Sequence, residues 1–535
     1  MFERLSRSLG HLTPLILLLA IATTSRAAER PNILIILADD LGYSDVGCYG
    51  SEIHTPNLDQ LASQGLRFSQ FYNTARCWPT RSCLMTGYYA QQLRMDPIRS
   101  GPRPPWSRLL PHYLKPLGYR CYHSGKWHIE NTPRILADGG FDRSYYLRDY
   151  NASFYPRDHL EDDKPLPPVD PKSGYYHTTA ITDHLLKYLK DHAQQSPQQP
   201  FMGYLAFTSP HFPLHALPED IARYKDKYHK GWEQTRAARY QRQKEIGLLQ
   251  CALSDPEPDL KTSLGKNALQ ILGFGEMPHA VTWASLTSEQ QEFQATKMAI
   301  HAAMVDRIDR EIGRVSDQLK QMHAWENTII FFLSDNGASA EILVRGDGHD
   351  SKAAPGSATS YLCLGPGWST SSNTPFRRHK IWVHEGGIST PLIVHWPKGI
   401  KPQGEIRHNV GHLIDIVPTL LDITGAPRDS RWNDLQPPKL PGKSLLPVFS
   451  QDLSVAHEEL YFNHSQSRAL RQGDWKAIAS SEAPQTWALY NLATDRAESH
   501  DLAATQPERL KQMVARWETL DKQFREQSEV KRLTP

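Results

Sequence analysis

Cysteine is scarce in this chain: six in 535 residues, at positions 48, 77, 83, 121, 251 and 363. That is too few for a fold stapled together by disulfides, and their spacing matches no zinc motif. An excess of one sign of charge is also missing. The 60 Lys and Arg residues nearly balance 58 Asp and Glu, a net charge of +2, which leaves neither a nucleic-acid footprint nor an acidic solubilising tail. There is no internal repeat, and beyond the amino-terminal leader no stretch is apolar enough to span a bilayer. What remains is a globular balance, 39% hydrophobic and 22% charged. A chain this long exceeds what one core supports, so two domains, or one large domain with an appendage, are expected.

The leader itself reads as a processing signal. Arg4 and Arg7 precede LTPLILLLAIA, and Ser25 and Ala27 are small residues where a signal peptidase reads. Residues 1–27 are therefore expected to be a signal peptide, and the mature protein to be exported, periplasmic or secreted, without stable membrane insertion.

The body alternates strands and helices. Asn32 to Ala38 is a continuous apolar run cut off by Asp39 and Asp40, the pattern of a central parallel strand buried on both faces. NTIIFFL followed by Ser334, Asp335 and Asn336 is a second such strand, FMGYLAF with His211 just beyond it a third, and TPLIVHWP a fourth. Met298, Val305, Ile308, Ile312, Val315 and Leu319 recur at helical spacing. The pattern predicts an α/β protein with a mostly parallel central sheet flanked by helices. A polar insertion from about 213 to 290, highly charged, is expected at the surface. Near Pro437 a proline-rich junction leads to ELYFNHS, RALRQGDWKAIA, WALYNLA and ERLKQMVARWETLDKQF. These predict a smaller C-terminal α+β domain over 437–535, an antiparallel sheet with a helix, after a main domain over 28–436.

In open parallel sheets, ligands gather beyond the carboxyl ends of the strands. Asp39 and Asp40 repel each other unless compensated. With Asp335 and Asn336 they offer four hard oxygen ligands, which suit calcium or magnesium better than zinc. Helix capping by Asp39 or Asp40 and a turn at Asp335 are the plainer alternative. Lys126 and His128 flank Trp127, His211 follows a strand, and Lys380 sits in NTPFRRHKIWVHEGG. Cationic groups around a metal describe a site for an anionic, tetrahedral substrate. Cys77 is open to two readings at this point, a thiolate nucleophile activated near Arg81 or a disulfide partner.

Cys77-Trp78-Pro79-Thr80-Arg81, with Thr86-Gly87 beyond it, resembles the signature of the type I, formylglycine-dependent sulfatases. The resemblance runs along nearly the whole mature chain, through NILIILADDLGYSDVGCYG, GYRCYHSGKWH, LAFTSPHFPLHA, FFLSDNG and HEGGISTPLIVHWP. It is strongest for the bacterial arylsulfatase branch. It implies an alkaline-phosphatase-like fold and a sulfatase hydrolysing aryl or carbohydrate sulfate esters. By position it makes Asp39, Asp40, Asp335 and Asn336 the metal ligands, with calcium the usual ion and magnesium the second choice. It makes Cys77 the residue that a formylglycine-generating enzyme oxidises, with Arg81 and Lys126 polarising the hydrated aldehyde. His211 and Lys380 would grip the sulfate, with one of the two placed to protonate the leaving alcohol, and His128 would take the proton that lets the aldehyde reform. Trp78 and Tyr88 depart from the residues common at those places. His215 and His384 are expected near the site, either contacting the leaving group or rimming the pocket. Trp232, Trp368 and Trp382 stand as stacking platforms or core residues, with specificity expected from the insertion, the PGWSTSS stretch and the C-terminal domain. Two rival functions share these features: a phosphomonoester or phosphonate ester hydrolase, and a catalytically silent binder of sulfated polymers.

Overall fold

The computed structural model describes residues 30–97, 101–428, 431–453, 455 and 457–529. The expected signal peptide lies outside the described residues. Ten strands form one sheet: β1 (Asn32–Ala38), β2 (Leu66–Tyr72), β3 (Arg120–Gly125), β4 (Arg143–Leu147), β5 (His159–Glu161), β6 (Lys164–Pro165), β7 (Phe201–Ala206), β8 (Thr328–Ser334), β9 (Ser389–His395) and β10 (Glu405–His412). Their spatial order is β10-β2-β9-β8-β1-β7-β3-β4-β5-β6. β1 lies between β7 and β8 and is parallel to both. Ile33, Ile35 and Leu37 enter one core layer while Leu34, Ile36 and Ala38 enter the other. That two-sided burial is why the strand reads as an unbroken apolar run.

One strand departs from expectation. β9, the TPLIVHWP run, is antiparallel to both its neighbours, β2 and β8. A strand covered on both faces is apolar throughout whichever way it runs, so its composition carries no direction.

The predicted long helix spans Ser288–Gln321, and its six periodic apolar residues are all buried. A reciprocal capping box between Thr287 and Gln290 starts it. Most of the insertion lies at the surface as expected, but one face of a helix within it is buried. Its helix Gly231–Glu245 buries Trp232, Arg236, Arg239 and Gln243. Arg239 reaches Asp45 Oδ1 at 2.6 Å and Glu52 Oε1 at 2.8 Å, so this one arginine of the insertion belongs to an internal ion-pair network. At the carboxyl end, β11 (Leu460–His464), β12 (Ser467–Gln472), β13 (Trp475–Ala479) and β14 (Trp487–Asn491) make an antiparallel sheet. The helix Pro507–Ser528 packs on it through Met513, Trp517, Leu520 and Phe524. No helix among the described residues is long and apolar enough to cross a membrane.

Candidate active site and metal cluster

Strand ends converge on one buried cluster of charge. β1 leads into Asp39 and Asp40, β8 into Asp335 and Asn336, β3 into Lys126, and the loop after β7 into His211. All four of the oxygen-bearing residues are buried, where bare carboxylates would be costly. Arg81 compensates two of them. Its Nε and Nη2 lie 3.1 and 2.8 Å from Asp335 Oδ2, and Nη2 lies 3.4 Å from Asp39 Oδ2. Lys126 pairs with Asp39, Lys380 Nζ stands 2.8 Å from Asp40, and His211 Nε2 stands 3.7 Å from Asp40 Oδ2.

These cations do not complete the balance. Burial and the Asp39 carboxylate still drive Asp335 up to about 7. Asp39 Oδ1 and Asn336 Oδ1 are buried without a hydrogen-bond partner. A hard divalent cation answers both features, adding charge and taking the unpartnered oxygens. Ligand atoms of Asp39, Asp40 and His211, and separately of Asp39, Cys77 and Asp335, lie within 4.8 Å of one another. The molecule thus carries a cluster of side chains able to bind a divalent metal, and Asp39, Asp40, Asp335 and Asn336 supply oxygens of the kind such an ion takes.

Cys77 is the first residue of the helix Cys77–Thr86, entered from extended Arg76 and ended by Gly87 at φ 79°. Arg81 follows one turn later, on the same face, which explains the spacing of the two in the motif. All six cysteines are free thiols, so Cys77 is no disulfide partner. Burial pushes its thiol up, against the pull of Lys126 and Lys380. An activated thiolate needs the opposite balance.

Lys380 reaches the cluster because β9 is antiparallel, which brings its amino-terminal end to this side of the sheet. The approach is tight: Gly337 N donates to Gly387 O at 3.0 Å, and a Cβ on Gly337 would lie 1.9 Å from Gly386 O. Ile381, beside Lys380, has φ 88°, and Asp40 and His128 have φ 64° and 54°. Such backbone costs about 1–3 kcal/mol per residue and persists where surrounding structure enforces it. Fifteen non-glycine residues adopt such backbone along the described chain, and Asp40 and His128 are the two among them that are candidate site residues.

Residues 31–426 match the sulfatase family model, and residues 377–527 match the model described as N-sulphoglucosamine sulphohydrolase, C-terminal. The chain belongs to the sulfatase family. It is 32% identical to an uncharacterised sulfatase of Schizosaccharomyces pombe, covering 92% of this chain and 93% of the relative. It is 31% identical to an arylsulfatase of Klebsiella aerogenes over 81% of this chain and 93% of that one. In fold it resembles the crystal structure of Ps i-CgsB in complex with k-i-k-neocarrahexaose. That likeness has a TM-score of 0.64 at 24% identity and covers 92% of this chain and 93% of the other.

Within this sulfatase the other candidates fall in distinct places. His128 packs edge-on against Trp78 at 5.7 Å and tilted against Tyr150 at 5.7 Å. His215 has both ring nitrogens engaged, by Ser153 Oγ at 3.0 Å and Ser360 O at 2.7 Å, and lines a cleft beside the cluster. His384 lies buried next to Glu385, a residue held by Lys476 and Arg496 of the C-terminal region. Burial and the charges of Arg378, Arg377 and Lys476 push its imidazole well down. Two further sulfatase residues carried no sequence signal. Glu341 is a buried carboxylate against Lys380 and Arg76. The Tyr150 ring lies 4.4 Å from Lys126 Nζ and 6.2 Å from the His211 ring.

Proposed function

We propose that this sulfatase hydrolyses aryl or carbohydrate sulfate esters with a bound calcium ion, after export and after oxidation of Cys77 to formylglycine by a maturation enzyme. The observation that carries this reading is the convergence of Cys77 with Asp39 and Asp335 within 4.8 Å, at a helix start whose next turn supplies Arg81. When bound, calcium supplies charge neutralisation at the sulfuryl oxygens, and hydrated formylglycine supplies a hydroxyl nucleophile.

The chain's own side chains do the remaining work. Arg81 and Lys126 hold the acidic cluster and polarise residue 77 from the buried side. Lys380 presents its ammonium to the sulfate. His211 donates its Nδ1–H to Phe212 O, so Nε2 faces the cluster and passes a proton to the departing oxygen only after the ring has taken up a second proton there. His128, between Trp78 and Tyr150, accepts a proton from residue 77. Export is supported by the charged, apolar and small-residue sequence of the leader.

The test is the mass of the peptide containing residue 77, from protein purified out of its exporting host. The thiol should be replaced by an aldehyde, and amino-terminal sequencing should begin at Ala28. Unmodified cysteine in a preparation that still turns over sulfate esters would overturn the mechanism.

A further inference from the structure

Three of the elements expected to shape specificity, Trp232, Trp368 and the PGWSTSS stretch, are closed to a substrate. Trp232 and Trp368 are buried and pack edge to face at 5.7 Å, and the PGWSTSS stretch is a buried helix, Pro366–Ser372. A different surface adjoins the cluster. A cleft of about 410 Å³ lies between residues 149–157 and 345–361. His215 ties those two segments together through Ser153 and Ser360.

The cleft meets the reaction chamber along two lines. Tyr150, flanked by the cleft residues Asp149 and Asn151, lays its ring against Lys126, His128 and His211. The rings of Tyr361 and Phe212 are 6.4 Å apart, and Phe212 stacks on His211 at 4.2 Å. A group attached to a sulfate at the cluster would therefore extend into this cleft.

We propose that the cleft binds the alcohol half of the substrate, and that this half is an uncharged, hydroxyl-rich saccharide. The proposal rests on the sulfate-ester reading above and narrows it. Charge decides the class. Two guanidiniums, Arg157 and Arg345, share the cleft with three carboxylates, Asp149, Asp347 and Asp350, and Arg157 is already paired with Asp347. A second sulfate or a uronate entering here finds no surplus of positive charge and meets like charge. An aryl group wants a mainly apolar slot, whereas these walls present carboxylates, guanidiniums and hydroxyls. Such groups donate to and accept from sugar hydroxyls, while Phe154, Tyr155 and Tyr361 offer apolar faces for a pyranose ring.

The experiment uses matured, calcium-loaded enzyme and three kinds of probe: 4-nitrophenyl sulfate, a panel of neutral oligosaccharides each carrying one sulfate at differing hydroxyls, and a sulfated disaccharide containing a uronate. One of the neutral oligosaccharides should give the highest kcat/KM. Arg345→Ala and Asp350→Ala, both at exposed positions, should each raise KM for it about tenfold, the effect of losing a hydrogen bond to a charged group. Their kcat/KM for 4-nitrophenyl sulfate should stay within about twofold of wild type. A preference for the uronate probe, or variants that weaken all substrates alike, would refute the saccharide cleft while leaving the sulfatase reading intact. Wild-type enzyme inert on all three would sink both.

Discussion

Glu341 and Lys380 form a buried pair, with Oε2 3.1 Å from Nζ. The second oxygen of the same carboxylate lies 3.1 Å from Arg76 Nη1, so one side chain links the residue before Cys77 to the lysine proposed to grip sulfate. Although burial pushes its carboxyl up, Lys380 and Arg76 hold Glu341 well below the usual carboxylate range. Replacing it by Gln keeps the shape and removes the charge. Glu341→Gln should fold normally by circular dichroism and lose about ten- to hundredfold in kcat, the scale of a misplaced catalytic group. Unchanged kinetics would show that Asp40 alone positions Lys380.

Arg81 uses its fork. Two of its nitrogens meet one oxygen of Asp335 while Nη1 donates to Lys126 O at 3.0 Å. A lysine keeps the charge but cannot reproduce that geometry. Arg81→Lys should therefore reduce kcat/KM by about a hundredfold or more, read from initial rates after the state of residue 77 in the variant has been verified by mass.

Calcium should raise the melting temperature, since a ligand that binds only the folded state adds about 2.7 kcal/mol at a hundredfold excess over Kd. Chelation should lower it and abolish turnover. In Asp40→Ala, calcium should no longer shift the transition; an undiminished shift would place the ion elsewhere.

His395 ends β9, at the opposite end of that strand from Lys380. It is buried against Trp325 at 4.6 Å, and neither ring nitrogen has a hydrogen-bond partner. Burial and Lys320 lower its pKa from 6.5 to about 4. The unfolded chain therefore binds this proton before the folded one does. The resulting stability is fully present above about pH 6.5 and is lost as pH falls toward 4, at about 1.4 kcal/mol per unit. His395→Leu should be more stable by about 1 kcal/mol at neutral pH and less sensitive to acid between pH 6.5 and 4, by urea denaturation. A destabilised variant would mean the imidazole is satisfied by a group such as water.

Much of the site was legible because its chemistry is local. Asp39-Asp40 and Asp335-Asn336 follow apolar runs, and a polar pair at the end of a buried strand is conspicuous in the sequence. Cys77 and Arg81 are one helical turn apart, so their joint role also shows in one dimension. Glu341 had no such mark: it lies in a loop, and its partners are distant in sequence. The sequence leaves His215 open between contacting the leaving group and rimming the pocket; only the fold places it in the cleft wall with both nitrogens on Ser153 and Ser360.

The sequence alone determined which segments are buried and where their polar ends lie, because apolar periodicity records burial directly. Only the tertiary structure decided direction and pairing. A strand covered on both faces has the same composition whichever way it runs, so nothing in TPLIVHWP marked β9 as reversed, and that reversal is what carries Lys380 to Asp40. Nor does the charge in the insertion say whether it faces water or a partner such as Asp45. Those outcomes depend on contacts between residues hundreds of positions apart, which no local pattern encodes.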